Sequence, residues 1–141
     1  NAGQAFQLGR YPIHFHRIGR VSQSYIKGNS IHHTYNRATT IHAVSYLTVS
    51  DNVVYYCRGH NIFIEDAIET YNLIENNLVV TTLASNSLLN TDQTPASFWI
   101  TNPKNIFRNN HAAGSARYGF WFDLQFNPTG PSYTPLICPR G

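Results

Sequence analysis

Three short runs gather the side chains able to bind a metal, move a proton or grip a sugar. Tyr11-Pro12-Ile13-His14-Phe15-His16 carries two imidazoles two residues apart, Ile31-His32-His33-Thr34-Tyr35-Asn36-Arg37 carries two more, and Phe63-Ile64-Glu65-Asp66-Ala67-Ile68-Glu69 carries three carboxyls. On a strand, His-x-His sets both rings on one face, an arrangement that suits zinc or copper. Two histidines and one carboxylate make a second kind of metal set. A neighbouring Glu and His can instead work as acid and base. A histidine ladder is also satisfied by hydrogen bonding alone. Which chemistry is open depends on the elements that bring the runs together.

Those elements are announced by four asparagines. Asn29, Asn52, Asn77 and Asn110 open matching phrases at intervals of 23, 25 and 33 residues. Three residues before each stands an apolar side chain (Ile26, Val49, Ile74, Phe107), and two after it another (Ile31, Val54, Val79, Ala112). Periods of this size mark stacked coils. The unit is strand-like, so the sequence predicts an all-β fold: a right-handed, single-stranded parallel β-helix, a pectate-lyase-like solenoid of about five coils. The hand follows from the preference of parallel crossovers. Fifteen of 141 residues are Asn, a turn former whose amides can hydrogen-bond from coil to coil. Residues 1–126 read as β-helix repeats. Residues 127–141, where Asn127-Pro128-Thr129-Gly130-Pro131 abandons the period, read as an irregular exit segment or linker. Residues 85–95 form one long loop projecting from the fourth coil. Residues 1–9 enter mid-coil and no polar capping repeat is seen, so the chain reads as a fragment of a longer protein.

The repeat also fixes neighbours. Ile41, Ile64 and Phe122 stand twelve residues past an Asn, and alternation then gives inward pairs Ile13/Phe15, Thr39/Ile41, Ile62/Ile64, Phe98/Ile100 and Phe120/Phe122. Two outward columns remain: His16, His42, Glu65, Thr101, Asp123, and beside it His14, Thr40, Phe63, Trp99, Trp121. The expected site is this outward face. Phe63, Trp99 and Trp121 would stack on sugar rings, with His14, His16, His42, Glu65 and Asp123 as polar contacts. His42 and Glu65 are the catalytic candidates, and His16, His42 and Glu65 the metal candidates, for a divalent ion. A neighbouring segment covering the face is the competing account.

Other features mainly exclude. The net charge of +3 comes from eight Arg and two Lys scattered along the chain, with no basic block of the kind nucleic-acid binding needs. Cys57 and Cys138 are too few for a disulfide framework or a zinc site; they pair with each other or with segments elsewhere, or Cys57 is a small core residue. No signal peptide or membrane-spanning stretch is present.

The runs Leu8-Gly9-Arg10-Tyr11-Pro12-Ile13-His14-Phe15-His16, Ser30-Ile31-His32-His33-Thr34-Tyr35-Asn36-Arg37-Ala38 and Phe63-Ile64-Glu65-Asp66 closely resemble the β-helix segment of the fibrocystin and fibrocystin-L family. Thr94-Pro95-Ala96-Ser97-Phe98-Trp99-Ile100-Thr101-Asn102-Pro103 and Tyr118-Gly119-Phe120-Trp121-Phe122 fit as well. Related cell-surface and secreted hyaluronan-degrading proteins share the segment. Ala67 departs from the family's Gly after the Glu-Asp pair. The resemblance implies one internal module of a large extracellular or cell-surface protein, the ciliary membrane included, that meets the membrane only through an anchor elsewhere. Implied partners are a polysaccharide, a cell-surface or coat protein, and the rest of its own ectodomain. It favours a structural and ligand-binding module. The alternative is a polysaccharide hydrolase or lyase of the hyaluronan-depolymerising kind.

Overall fold

The structure, a computed structural model, describes residues 9–86 and 90–141. Among the described residues thirteen strands, numbered in chain order, fall into three parallel sheets. The first holds β1 (Ile13–Arg20), β4 (Thr39–Ser45), β7 (Ile62–Ile64), β10 (Ala96–Ile100) and β13 (Tyr118–Phe122). The second holds β2 (Tyr25–Lys27), β5 (Thr48–Ser50), β8 (Leu73–Glu75) and β11 (Ile106–Arg108). The third holds β3 (Ser30–His32), β6 (Val53–Arg58), β9 (Leu78–Leu83) and β12 (His111–Ala113). Each turn of the chain adds one strand to each sheet, which makes a β-solenoid. The solenoid has about four turns rather than five, because among the described residues only the first sheet has a fifth rung. Among the described residues there is no α-helix.

The turns explain the asparagines. The residue before each ladder Asn is left-handed: Gly28 (φ 67°), Asp51 (57°), Asn76 (54°) and Asn109 (53°). Gly, Asn and Asp are the residues that tolerate this conformation best. The next side chain then points into the turn. Asn52 donates from its backbone N and Nδ2 to Asn77 Oδ1 at 3.1 and 2.9 Å, and Asn77 repeats both bonds to Asn110 Oδ1 at 3.1 and 3.0 Å. Asn29 makes the same pair of bonds to Asn52 at 2.9 Å. A second, shorter ladder, which no repeated phrase in the sequence marks, runs beside it. Asn72 donates twice to Asn105 Oδ1 at 3.0 Å and accepts from Leu47 N at 2.8 Å. Its signal is weak because the turn beneath carries Leu47 at the ladder position.

Strand pairing places Ile13, Thr39, Ile62, Phe98 and Phe120 in one row, and His14, Thr40, Phe63, Trp99 and Trp121 in the next. The inward residues Ile41, Ile64, Phe98 and Ile100 are buried with Val49, Val54, Ile74 and Val79. Phe122 pairs with Ile100 as expected, yet it is exposed, because no described strand lies beyond β13. Cys57 is buried in this core and Cys138 is exposed, with no bond between them. Ala67 keeps the left-handed turn that a Gly would make, at φ 67°, and its carbonyl accepts from Asn102 Nδ2 at 2.8 Å.

Candidate functional site

At the β1 end of the first sheet, His14, His16, His42 and Glu65 line one cleft of about 240 Å³ together with Gly9 and Tyr11. Parallel register sets His16 directly beside His42. The rings of His14 and His16 are 4.9 Å apart, and those of His16 and His42 4.7 Å. His14 Nδ1 lies 3.0 Å from the Gly9 carbonyl, which can only accept, so this nitrogen carries the proton. His42 Nε2 donates to Asp66 Oδ2 at 2.7 Å, while its Nδ1 lies 3.5 Å from Glu65 Oε2. Two buried polar atoms of residues lining the cleft, His14 Nε2 and Glu65 Oε2, make no hydrogen bond among the described residues.

The electrostatics follow from this packing. Asp66 raises the His42 pKa through its hydrogen bond, against the opposing pull of burial. Burial pushes Asp66 up, but hydrogen bonds from His42 and Ser132 outweigh it and hold the carboxyl below its usual range. For Glu65, burial dominates and raises the carboxyl despite His42 and Arg37 nearby. Burial lowers His14, partly countered by the Gly9 carbonyl.

Asp66 was not among the residues expected to form the site, and neither were the groups that steady it. Ser132 Oγ donates to Asp66 Oδ2 at 2.7 Å and Thr129 N donates to the Asp66 carbonyl at 2.8 Å. Residues 127–141, whose only regular element is the 3₁₀ turn Gly130–Ser132, thus fold back against the site. Gly130 (φ 54°) passes so close that a Cβ there would meet Asp66 Oδ1 at 3.0 Å. No period in the sequence marks these contacts.

The aromatic strip is the main correction. Phe63 and Trp99 point away from the solenoid core as the alternation requires, but they are only 5% and 8% exposed. Thr40 and Thr101 are buried too. The cover is a second polar and aromatic layer. Arg37 lays its guanidinium carbon 3.7 Å from the Phe63 ring centroid and bonds to Asp92 through Nε and Nη2 at 3.3 and 3.1 Å. Its Nη1 donates to the Tyr11 hydroxyl at 3.1 Å. His60 lies 4.1 Å from Trp99, centroid to centroid, and its Nδ1 accepts from Ala96 N at 3.1 Å. Asp92 arrives from the loop of residues 85–95, whose residues 87–89 lie outside the described residues. The described part of that loop around Asp92 packs over the sheet instead of projecting from it. Gly59 makes room, since a Cβ there would come within 2.6 Å of Asp92 Oδ1. Only Trp121 of the strip is open, at 36%, with Asp123 beside it held by Gln125 at 2.6 Å. Four strand spacings, roughly 19 Å, separate this end from His14. Of the expected mid-coil entry at residues 1–9, residues 1–8 lie outside the described residues.

The sequence model described as CEMIP beta-helix matches residues 1–140. Fibrocystin-L of Homo sapiens is 50% identical over 141 residues, 99% of this chain and 3% of that protein. The cell surface hyaluronidase of Danio rerio is 36% identical over 163 residues, 93% of this chain and 12% of that protein. The cell migration-inducing and hyaluronan-binding protein of Homo sapiens is 35% identical over 162 residues, 91% of this chain and 12% of that protein. The chain therefore spans a small part of the relatives it matches.

Proposed function

The chain belongs to the CEMIP β-helix family, and on that premise we propose that it is a structural and ligand-binding module of a large extracellular protein at the cell surface. The finer assignment to a ciliary surface is part of the same proposal. Its ligand in this reading is a polysaccharide, held in the cleft of His14, His16, His42 and Glu65, with Trp121 and Asp123 as an outlying contact. The observation that carries it is the pair of buried polar atoms, His14 Nε2 and Glu65 Oε2, that make no hydrogen bond among the described residues and belong to side chains lining the cleft. Buried polar atoms without partners are rare in folded proteins, and sugar hydroxyls supply both donors and acceptors. The net charge of +3 suits an acidic glycan. The names of two relatives, a cell surface hyaluronidase and a hyaluronan-binding protein, support that choice.

Titration with hyaluronan oligomers tests the reading. Parent protein should bind, His14→Ala with Glu65→Gln should bind at least tenfold more weakly, and Trp121→Ala should show a smaller loss. Absence of saturable binding by the parent would remove the glycan from this proposal.

One observation favours a second reading, a hyaluronan-depolymerising enzyme domain. Burial raises the Glu65 carboxyl while His42, held by Asp66, stands 3.5 Å away. A carboxyl raised by burial beside a basic partner suits general acid–base work on a glycosidic bond. Shortening of polymeric hyaluronan that Glu65→Gln or His42→Ala abolishes would establish it.

A further inference from the structure

We propose that His14, His16 and His42 form a metal-ion site of the zinc class, with Glu65 bordering its open side. The site does not depend on the glycan reading, because its test uses the metal alone.

The geometry comes first. One ligand atom from each of the three histidines lies within 4.8 Å of the other two. Zinc–imidazole bonds place tetrahedral ligands about 3.4 Å apart. Modest rotation of the rings would close that difference, and the exposed His16 has room to make it.

Tautomer and orientation come next. A metal-binding imidazole commonly donates its other N–H to a carbonyl or carboxylate, which fixes the ring and presents a lone pair. Two of the three rings are set this way. The proton of His14 Nδ1 goes to the Gly9 carbonyl at 3.0 Å, which leaves Nε2 as the acceptor. The proton of His42 Nε2 goes to Asp66 at 2.7 Å, which leaves Nδ1. Asp66 is in turn held by Ser132 and by Thr129, so the orienting group is itself anchored by a segment distant in sequence.

The third observation is the want of partners. His14 Nε2, the nitrogen that this tautomer leaves with a lone pair, is buried and makes no hydrogen bond among the described residues. Glu65 Oε2, 3.5 Å from His42 Nδ1, is in the same condition. A cation would satisfy both. The donor set is rich in nitrogen with one carboxylate, which selects zinc, copper or nickel over calcium and magnesium.

The experiment titrates the chelator-treated chain with Zn²⁺ by calorimetry and with Co²⁺ by visible absorption, with melting of each metal-free variant as a fold control. One ion per chain is expected, with a cobalt ligand-field band and no displacement by Ca²⁺. His16→Ala, at an exposed position, should weaken Zn²⁺ binding at least 100-fold. Asp66→Asn should weaken it by about 10- to 100-fold. His32→Ala with His33→Ala, a pair with Nδ1 atoms 3.0 Å apart at the end of β3 in another sheet, should leave it unchanged. Failure to bind one equivalent, retention of binding in His16→Ala, or its loss in the His32/His33 variant would each overturn the proposal.

Discussion

Arg37 lies with its guanidinium carbon 3.7 Å from the ring centroid of Phe63, and both residues are buried on the outer side of the first sheet. A cation stacked on an aromatic face and paired with Asp92 is an unusual lid for a β-sheet. It converts what alternation alone would leave as an open aromatic strip into a second small core.

That pair makes the first prediction. The side chains of Arg37 and Asp92 are fully buried, with Nη2 3.1 Å from Oδ2. Asp92→Ala leaves the guanidinium buried without its counter-charge, which costs about 3–5 kcal/mol. Urea unfolding measures it. A loss under about 1 kcal/mol, the range of an ordinary surface change, would show that the loop does not carry the pair.

The Asn ladder makes the second. Asn77→Ala strips the acceptor from two Asn52 donors and leaves the Val49 carbonyl without its Nδ2 donor at 3.0 Å. Each orphaned buried group costs roughly 1–3 kcal/mol, so the variant should lose on the order of 3–9 kcal/mol. Asn110→Ala, at the outer rung, should lose less. Equal small losses at both positions would mean that the amides mark turns without bearing on stability.

Two buried groups give opposite pH limbs. Burial pushes His60 from 6.5 down to about 4. The unfolded chain takes up that proton first, so its contribution is complete above pH 6.5 and fades as pH falls toward 4, about 3 kcal/mol in all. Burial pushes Glu69 up from 4.5 to about 7, against hydrogen bonds from Ala43 N and Asp66 N. The folded chain holds that proton longer, so its contribution is complete below pH 4.5 and fades as pH rises through 7, again about 3 kcal/mol. His60→Gln should flatten the acid limb of a stability–pH curve, and Glu69→Gln the neutral limb. A Glu69→Gln curve parallel to the parent across the neutral limb would contradict the assignment.

The two tryptophans should behave differently. Trp99→Ala removes a side chain packed between His60, Phe63 and Trp121 and should cost about 3–5 kcal/mol. Trp121→Ala loses a half-open ring whose main neighbour is Tyr118, 4.4 Å away, and should cost about 1–2 kcal/mol. Melting curves distinguish them. Only the Trp121 variant should change glycan binding without a matching loss of fold.

The coil register was legible in the residues because local rules enforce it. Left-handed turn residues before Asn29, Asn52, Asn77 and Asn110 set where each coil bends, and strand alternation then aligns His14 with Thr40, Phe63, Trp99 and Trp121. His16 beside His42 follows from the same arithmetic. Exposure does not. Whether an outward side chain meets water depends on segments outside the repeat, and their packing follows no period. Asp92 comes from the long loop, His60 from the turn after Gly59, and Ser132 from the exit segment, each at its own distance from what it touches. Tertiary structure alone therefore decided that Phe63 and Trp99 are covered and that Asp66 orients His42. Among the described residues, it also left the histidine cleft at the β1 end of the sheet without such a cover. A repeat dictates neighbours through short-range backbone geometry, whereas a covering contact depends on long-range closure that only the folded chain brings about.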